Sequence, residues 1–173
     1  MLIGKYTYGN PNVRWEGPLS GQLIIGNFCS IAGNCNIYLG GNHRVDWVTT
    51  YPFGHISQSI FDKFDGQGHP STKGDVTIGS DVWIGDNVTI MSGVTIGDGV
   101  VIANNSHVVK SAEPYSIIGG NPAKLIRKRF SDRQIEQLLD IKWWNWDDPK
   151  INELSPLLCN PDIEQFIQVA RSI

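Results

Sequence analysis

Residues 76–102 read VTIGSD VWIGDN VTIMSG VTIGDG VVI. Valine stands at 76, 82, 88, 94 and 100, and isoleucine two places later at 78, 84, 90, 96 and 102. Glycine follows at 79, 85 and 97. A strict period of six marks a repeat architecture and outranks local helix or strand propensity. Six residues make one short strand and one turn. Three such units carry the chain once round a triangular coil of about 18 residues. Each coil stacks on the last at roughly 4.8 Å, the spacing of paired strands. The isoleucine column points into the prism and the valines sit beside its corners. Gly, Asp and Asn at the other places tolerate the left-handed backbone that tight turns need. A helix is excluded, because 3.6 does not divide six and the β-branched residues oppose it.

A second run lies upstream. Residues 23–40 read LIIGNF CSIAGN CNIYLG, with Ile25, Ile31 and Ile37 in the inward column. Leu23 and Val76 start the two runs 53 positions apart, which is not a multiple of six, so an insertion separates them at about 41–75. It is loop-like and carries Trp47, Tyr51, Phe53, Phe61 and Phe64. Long loops of this kind in compact domains are usually functional. Before the first run, Ile3-Gly4 reads as the tail of a repeat, and Pro11, Gly17, Pro18 and Gly21 as a loop in which Arg14 and Trp15 cover either a prism end or a site. After Ile102 the period decays through Val108 and Ile118, and Gly119 to Ala123 turns out of the prism. Ser131 with Gln134 forms a capping box, and Ile135, Leu138, Leu139 and Lys142 give helical spacing with a snorkelling lysine. A second short helix is expected near 149–158, and a third with Asn160 as cap and Pro161 at its first position. The expected organisation is mainly β: a repeat domain over residues 1–130 and an α-helical cap over 131–173 that covers the open end of the prism.

Composition narrows the function. The chain has 173 residues, 18% of them charged, and a net charge of −3. Nothing draws it in bulk to nucleic acid or an anionic membrane. It has no signal-peptide pattern at its start and no apolar run of about 18 residues, which points to the cytoplasm. The 3 cysteines do not suggest a disulfide framework. Cys29 and Cys35, six apart, read as two small packed side chains in one stacked column.

The repeat resembles that of the hexapeptide-repeat acyltransferases. The segments GGNHRVDWVTTYPF, GDVTIGSDVWIGDNVTIMSGVTIGDG, IIGGNPAK and IKWWNW together resemble the family's xenobiotic acetyltransferase branch, with its hexapeptide-type chloramphenicol and streptogramin A acetyltransferases. The resemblance implies a left-handed parallel β-helix, a handedness against the usual crossover rule. It implies acetyl-CoA as acyl donor, no metal, and a homotrimer with sites between subunits. By position His43 matches the family's catalytic histidine, a general base that takes a proton from the acceptor hydroxyl. Asp46 or a backbone carbonyl would orient its ring. Gly85, Ala103 and Asn104 match the lining of the pantetheine arm, and Lys110, Lys124 and Arg127, with Lys128 and Arg129 nearby, the nucleotide phosphate site. Trp83, outward in a column otherwise of Thr and Val, matches the residue beside the acyl group. Tyr38, Asp46, Trp47 and Tyr51 are candidates for the acceptor. His55, His69 and His107 read as surface or structural histidines, with His107 pointing outwards. Trp143, Trp144 and Trp146 read as packing of the helices.

These readings give an acetyl-CoA-dependent O-acetyltransferase acting on a hydroxyl of a hydrophobic antibiotic, by direct transfer in a ternary complex. The alternative acceptor is a sugar or surface polysaccharide. An aromatic acceptor pocket favours the first, and a pocket of Asn, Asp and Arg the second. The N-terminal segment looks shorter than is typical of the branch. A catalytically silent scaffold, or a metal enzyme of the carbonic anhydrase type, is the different-class alternative; the second needs three convergent histidines, and the repeat columns offer only His107.

Overall fold

In a computed structural model, residues 1–17 and 19–172 are described; Pro18 of the expected N-terminal loop lies outside them. The chain visits three faces of a prism in turn. The first coil is irregular: β1 (Leu2–Ile3), a bridge from Tyr8 to Ser30, and β2 (Asn12–Arg14). The second coil is β3 (Leu23–Ile25), β4 (Ser30–Ile31) and β5 (Asn36–Tyr38). The third is β6 (Val76–Ile78), β7 (Trp83–Ile84) and β8 (Thr89–Ile90), and the fourth β9 (Thr95–Ile96), β10 (Val101–Ile102) and β11 (His107–Val108). A bridge from Ala112 to Ile96 and β12 (Ser116–Gly120) begin a fifth, before β13 (Ala123–Lys128) turns back antiparallel on β12.

Three sheets result, each of parallel strands from successive coils, save for β13. Face A is β1-β3-β6-β9, face B is β4-β7-β10-β12-β13, and face C is β2-β5-β8-β11. The register is in step with the hexads: Leu23 pairs with Val76, Ile25 with Ile78, and Ile78 with Ile96. The 53-residue offset between the runs is therefore one coil with the inserted loop hung from its last corner. The insertion is closed at its base, where Asn42 and Ser71 pair antiparallel.

The hexad fills the prism with two columns, not one. Ile78, Ile84, Ile90, Ile96 and Ile102 are buried, and so are Val76, Val82, Val88, Val94 and Val100. The valines point inwards beside the corners. Fully burying a side chain of this size contributes about 1.5–3 kcal/mol. Cys29 and Cys35 occupy the valine place on neighbouring faces, in register with Val82 and Val88. They are not one stacked column as the sequence suggested, since a six-residue step moves one face on and only a whole coil returns to the same column. Burial pushes both thiols up from the ordinary cysteine value.

The N-terminal segment also departs from expectation. Asn12–Arg14 is not loop but a strand on β5, so the first coil exists without hexapeptide letters. Trp15, at a positive φ, lays its ring over Gly40 and Gly41, where a Cβ would come within 2.8 and 3.1 Å of the indole.

The C-terminal helices do not cover the prism end. They are α1 (Asp132–Ile141), α2 (Asp148–Leu158) and α3 (Ile163–Ala170). They dock along the corner between faces A and B. That corner carries Phe28, Asp81 and Tyr115 in left-handed backbone, costly for bulky residues unless held in place. Phe28 stacks 4.9 Å from Trp143, Tyr115 stacks 5.7 Å from Phe130, and Asn27 Nδ2 donates to the Trp144 carbonyl at 3.2 Å. The tryptophan run is thus helix-to-prism packing, and Trp144 is buried. At the C-terminal end of the prism, Ala123 of β13 packs on the core. Ser131 and Gln134 make the expected capping box. Lys142 ends α1 in left-handed backbone instead of lying along its edge. Asp162, not Asn160, caps α3: the Asn160 side chain accepts from Asp162 N at 2.9 Å, a local turn that delays the helix.

Candidate active site

Each longitudinal corner of the prism carries a different set of residues. The corner between faces A and B takes the helices. The corner between B and C carries Gly85, Ala103 and Asn104. The corner between C and A releases the long loop, and with it His43.

The loop is anchored before it does chemistry. Asn42 Nδ2 donates to Ser92 Oγ at 3.0 Å, and the same hydroxyl accepts from Lys73 N at 3.2 Å. Ser92 is buried at the corner of the third coil, so both ends of the insertion are tied to one rigid point. One residue beyond that tie stands His43. Its Nδ1 lies 2.7 Å from the carbonyl oxygen of Thr50. A carbonyl only accepts, so Nδ1 carries the proton and Nε2 of the neutral ring has its lone pair free. The His43 side chain is exposed, as a base that meets a substrate must be.

Asp46 does not orient that ring. Its carboxylate accepts from Arg44 Nε at 2.7 Å and from Arg44 Nη2, and those bonds hold its pKa down to about 2. The Arg44 guanidinium lies 5.1 Å over the Trp47 ring. Asp46 therefore acts on Trp47 through Arg44, and the backbone carbonyl orients His43.

The loop aromatics line an open pocket of about 590 Å³ bordered by Trp47, Thr49, Tyr51, Phe53, Ile60, Phe61, Asp62, Lys63 and Phe64, with His43 outside its lining. Trp47 meets Phe64 edge-on at 5.7 Å, and Phe53 meets Phe61 at 5.2 Å. Thr50, which holds His43, lies between two of its lining residues, so pocket and histidine share one segment. Trp47 and Tyr51 are where the sequence reading wanted them. Phe53 was among the insertion's aromatics weighed for an acceptor pocket, whereas Ile60, Phe61 and Phe64 were not singled out for the site; the aromatic density of the insertion was the signal. Tyr38 stays on the outer side of face C, next to Arg14 in register.

His69, read as a surface or structural residue, is buried and belongs to this cluster. Its ring stands 4.7 Å from that of His43 at 88°. His55 Nε2 lies 2.7 Å from the His69 carbonyl oxygen. His69 precedes the closing Asn42–Ser71 pair as His43 follows it, a symmetry about the loop ends that could have flagged it. Among the described residues, no group of three or more His, Cys, Asp or Glu side chains converges as a metal site.

The remaining candidates lie elsewhere on the prism. Gly85 packs so closely that a Cβ would fall 2.8 Å from Asn104 N, and Asn104 Oδ1 accepts from Asp86 N at 3.0 Å. Asn34, Asn87 and Asn105 stack beside them in left-handed backbone. Ala103 N donates to Ile118 O at 2.9 Å. Trp83 projects from face B between Ser30 and Val101 and is 55% exposed, far more than a packing residue. Lys110 and Lys124 border one cavity of about 330 Å³ at the C-terminal end of the prism, with Lys128 on its rim. Arg127 is on exposed β13, while Arg129 turns back to pair with Asp81 at 3.3 Å. His107 sits outward on face C, as its place after Ser106 implied.

A prism of parallel hexads with a histidine on a corner loop fits the acyltransferase expectation. The family description "Bacterial transferase hexapeptide (six repeats)" matches residues 75–110. A "Probable macrolide acetyltransferase" from Lysinibacillus sphaericus is 54% identical over 153 residues, 84% of this chain and 82% of its own. A virginiamycin A acetyltransferase from Staphylococcus aureus is 47% identical over 181 residues, 96% of this chain and 80% of its own. A chloramphenicol acetyltransferase from Escherichia coli is 46% identical over 149 residues, 82% and 68% respectively. Among solved structures, a hexapeptide-repeat acetyltransferase from Vibrio cholerae complexed with acetyl-coenzyme A has a TM-score of 0.53 and 28% identity, over 75% of this chain and 60% of that one. The chain belongs to the hexapeptide-repeat acyltransferases, in their xenobiotic acetyltransferase branch.

Proposed function

We propose that the chain transfers the acetyl group of acetyl-CoA to a hydroxyl of a hydrophobic antibiotic of the streptogramin A or chloramphenicol kind. The observation that carries this reading is the joining of a free histidine Nε2 to an aromatic pocket through Thr49–Tyr51. A sugar acceptor would want a pocket of Asn, Asp and Arg; this lining is chiefly aromatic, with Asp62 and Lys63 at its edge.

The step follows from the His43 tautomer. Nε2 accepts the proton of the acceptor hydroxyl as its oxygen attacks the thioester carbonyl. The developing oxyanion takes a backbone N–H. The carbon–sulfur bond breaks, CoA leaves as thiolate, and the imidazolium returns its proton to that sulfur. The Thr50 carbonyl faces the Nδ1–H throughout and stabilises the imidazolium. No bond to the enzyme forms.

The candidates for the thiol arm lie on another corner from His43, whereas Lys110 lies farther along the His43 corner, between β11 and the Ala112 bridge. Gly85, Ala103 and Asn104 would hold the extended thiol arm, Trp83 the acyl end, and Lys110, Lys124 and Arg127 the phosphates. A single prism sets base and donor lining on separate edges, and apposition of the edges of neighbouring copies completes the site. This supports sites between subunits; a homotrimer of left-handed coils is what the family resemblance implies. The test is thiol release from acetyl-CoA with a streptogramin A, chloramphenicol and a panel of sugars. Turnover with an antibiotic supports the reading; turnover with sugars alone transfers the protein to polysaccharide chemistry.

A further inference from the structure

The His69 imidazole is placed oddly for a structural residue. It is only 6% exposed, yet neither ring nitrogen has a hydrogen-bond partner. Buried histidines held for structure are bonded, because an unpaired polar atom away from water is costly. The hydrogen bonds at this residue belong to its backbone: its N–H donates to the Gly66 carbonyl at 3.1 Å, and its carbonyl meets His55 Nε2. What the ring does have is contact. It stands at 88° to His43, with Trp47 at 6.5 Å and His55 at 5.4 Å between ring centroids.

We propose that His69 is a positioning residue for acetyl transfer: a dry, neutral wedge that holds the His43 ring in the orientation its Nδ1–Thr50 bond requires. This rests on the reading of His43 as general base. The exposed His43 ring has one hydrogen bond, which leaves it free to swing about that contact. The perpendicular His69 ring packs against it at 4.7 Å between centroids and limits that swing. Neutrality is part of the device. The groups facing His69 are His43 and His55, with the Arg44–Asp46 pair beside Gly68, where Arg44 Nη1 lies 3.8 Å from a Cβ built there. A proton on His69 would find no acceptor and would sit against two other imidazoles. Desolvation, then the charges of His43 and His55, push it below the usual histidine value.

The test uses the full chain with acetyl-CoA and its acceptor. His69→Ala removes the wedge. The expected result is a fall in kcat of at least about tenfold, with KM for acetyl-CoA within about twofold. In the same variant, ¹⁵N spectra of the His43 ring lose the single Nδ1–H tautomer. His69→Phe refills the space without nitrogens and returns kcat to within about fivefold of wild type, which also covers the case in which the alanine variant fails to fold. Wild-type kcat in His69→Ala overturns the proposal. So does an unchanged His43 tautomer, or a phenylalanine variant as impaired as the alanine one. His43→Ala is measured alongside: if it stays active, the base assignment itself has failed, whereas an inactive His43→Ala with a fully active His69→Ala sinks only the wedge.

Discussion

The Thr50 carbonyl oxygen, 2.7 Å from His43 Nδ1, fixes which nitrogen of the candidate base is free. It is a main-chain atom, so no side-chain substitution at Thr50 removes it. Thr50→Ala is expected to keep kcat within about threefold of wild type, whereas Thr50→Pro, which distorts the local chain, is expected to lower it at least about tenfold. Steady-state acetyl transfer checks both.

Asp46 makes the complementary case. Its carboxylate faces Arg44, so Asp46→Asn should leave kcat within about threefold and raise KM for the acceptor as Arg44 loosens over Trp47. The pH dependence has a definite sign. A carboxyl whose folded pKa is lowered from 3.8 to about 2 supports the folded loop above the higher value and loses that support as pH falls through the lower. The pair therefore persists throughout neutral and mildly acidic conditions. A carboxyl ¹³C titration of Asp46 with its midpoint near the ordinary value would contradict this.

The core columns make a stability prediction. Ile84 is fully buried between Ile31 and Ile102 in face B. Ile84→Ala should cost about 2–5 kcal/mol by urea unfolding, because stacked coils cannot collapse into the gap. Trp83, its neighbour in sequence, points the other way and is exposed. Trp83→Ala should alter the stability of the chain by no more than about 0.5 kcal/mol while reducing kcat/KM by at least about tenfold. Unchanged kcat/KM together with dissociation in sedimentation would make Trp83 a subunit contact instead.

The thiols report on the prism. Cys29 and Cys35 are buried and their pKa values are raised by desolvation, whereas Cys159 is exposed. A disulfide reagent at neutral pH should titrate one thiol quickly and the other two only after denaturation. Fast reaction of all three would mean that the valine column is open at its corners.

The prism was legible because Val76 to Ile102 repeats one local solution of one strand and one turn per hexad, while its handedness came only from the family resemblance. The N-terminal coil was not legible, because Tyr8 and Asn12–Arg14 join the prism by backbone pairing, with Val13 packed on the core but no hexapeptide spacing around it. The helices were readable one by one from Ser131 and the Ile135–Leu139 spacing. Their docking corner was not, since it depends on Phe28 and Tyr115 adopting backbone that sequence statistics discourage. The choice of His43 as candidate base rests on its place just past the break in the repeat and on the resemblance of its segment. Trp47 and Tyr51 were legible from the same segment. The ring contact of His69 with His43 was not legible, because it spans the loop and is created when Asn42 and Ser71 close the base.

The most direct measurement is acetyl transfer by His43→Ala beside acetyl-CoA binding by the same variant. General-base catalysis contributes about 10²–10⁴-fold, so kcat should fall by that factor while the Kd for acetyl-CoA stays within about twofold. Transfer at near wild-type rate with intact binding would contradict the account and leave His43 an ordinary loop histidine.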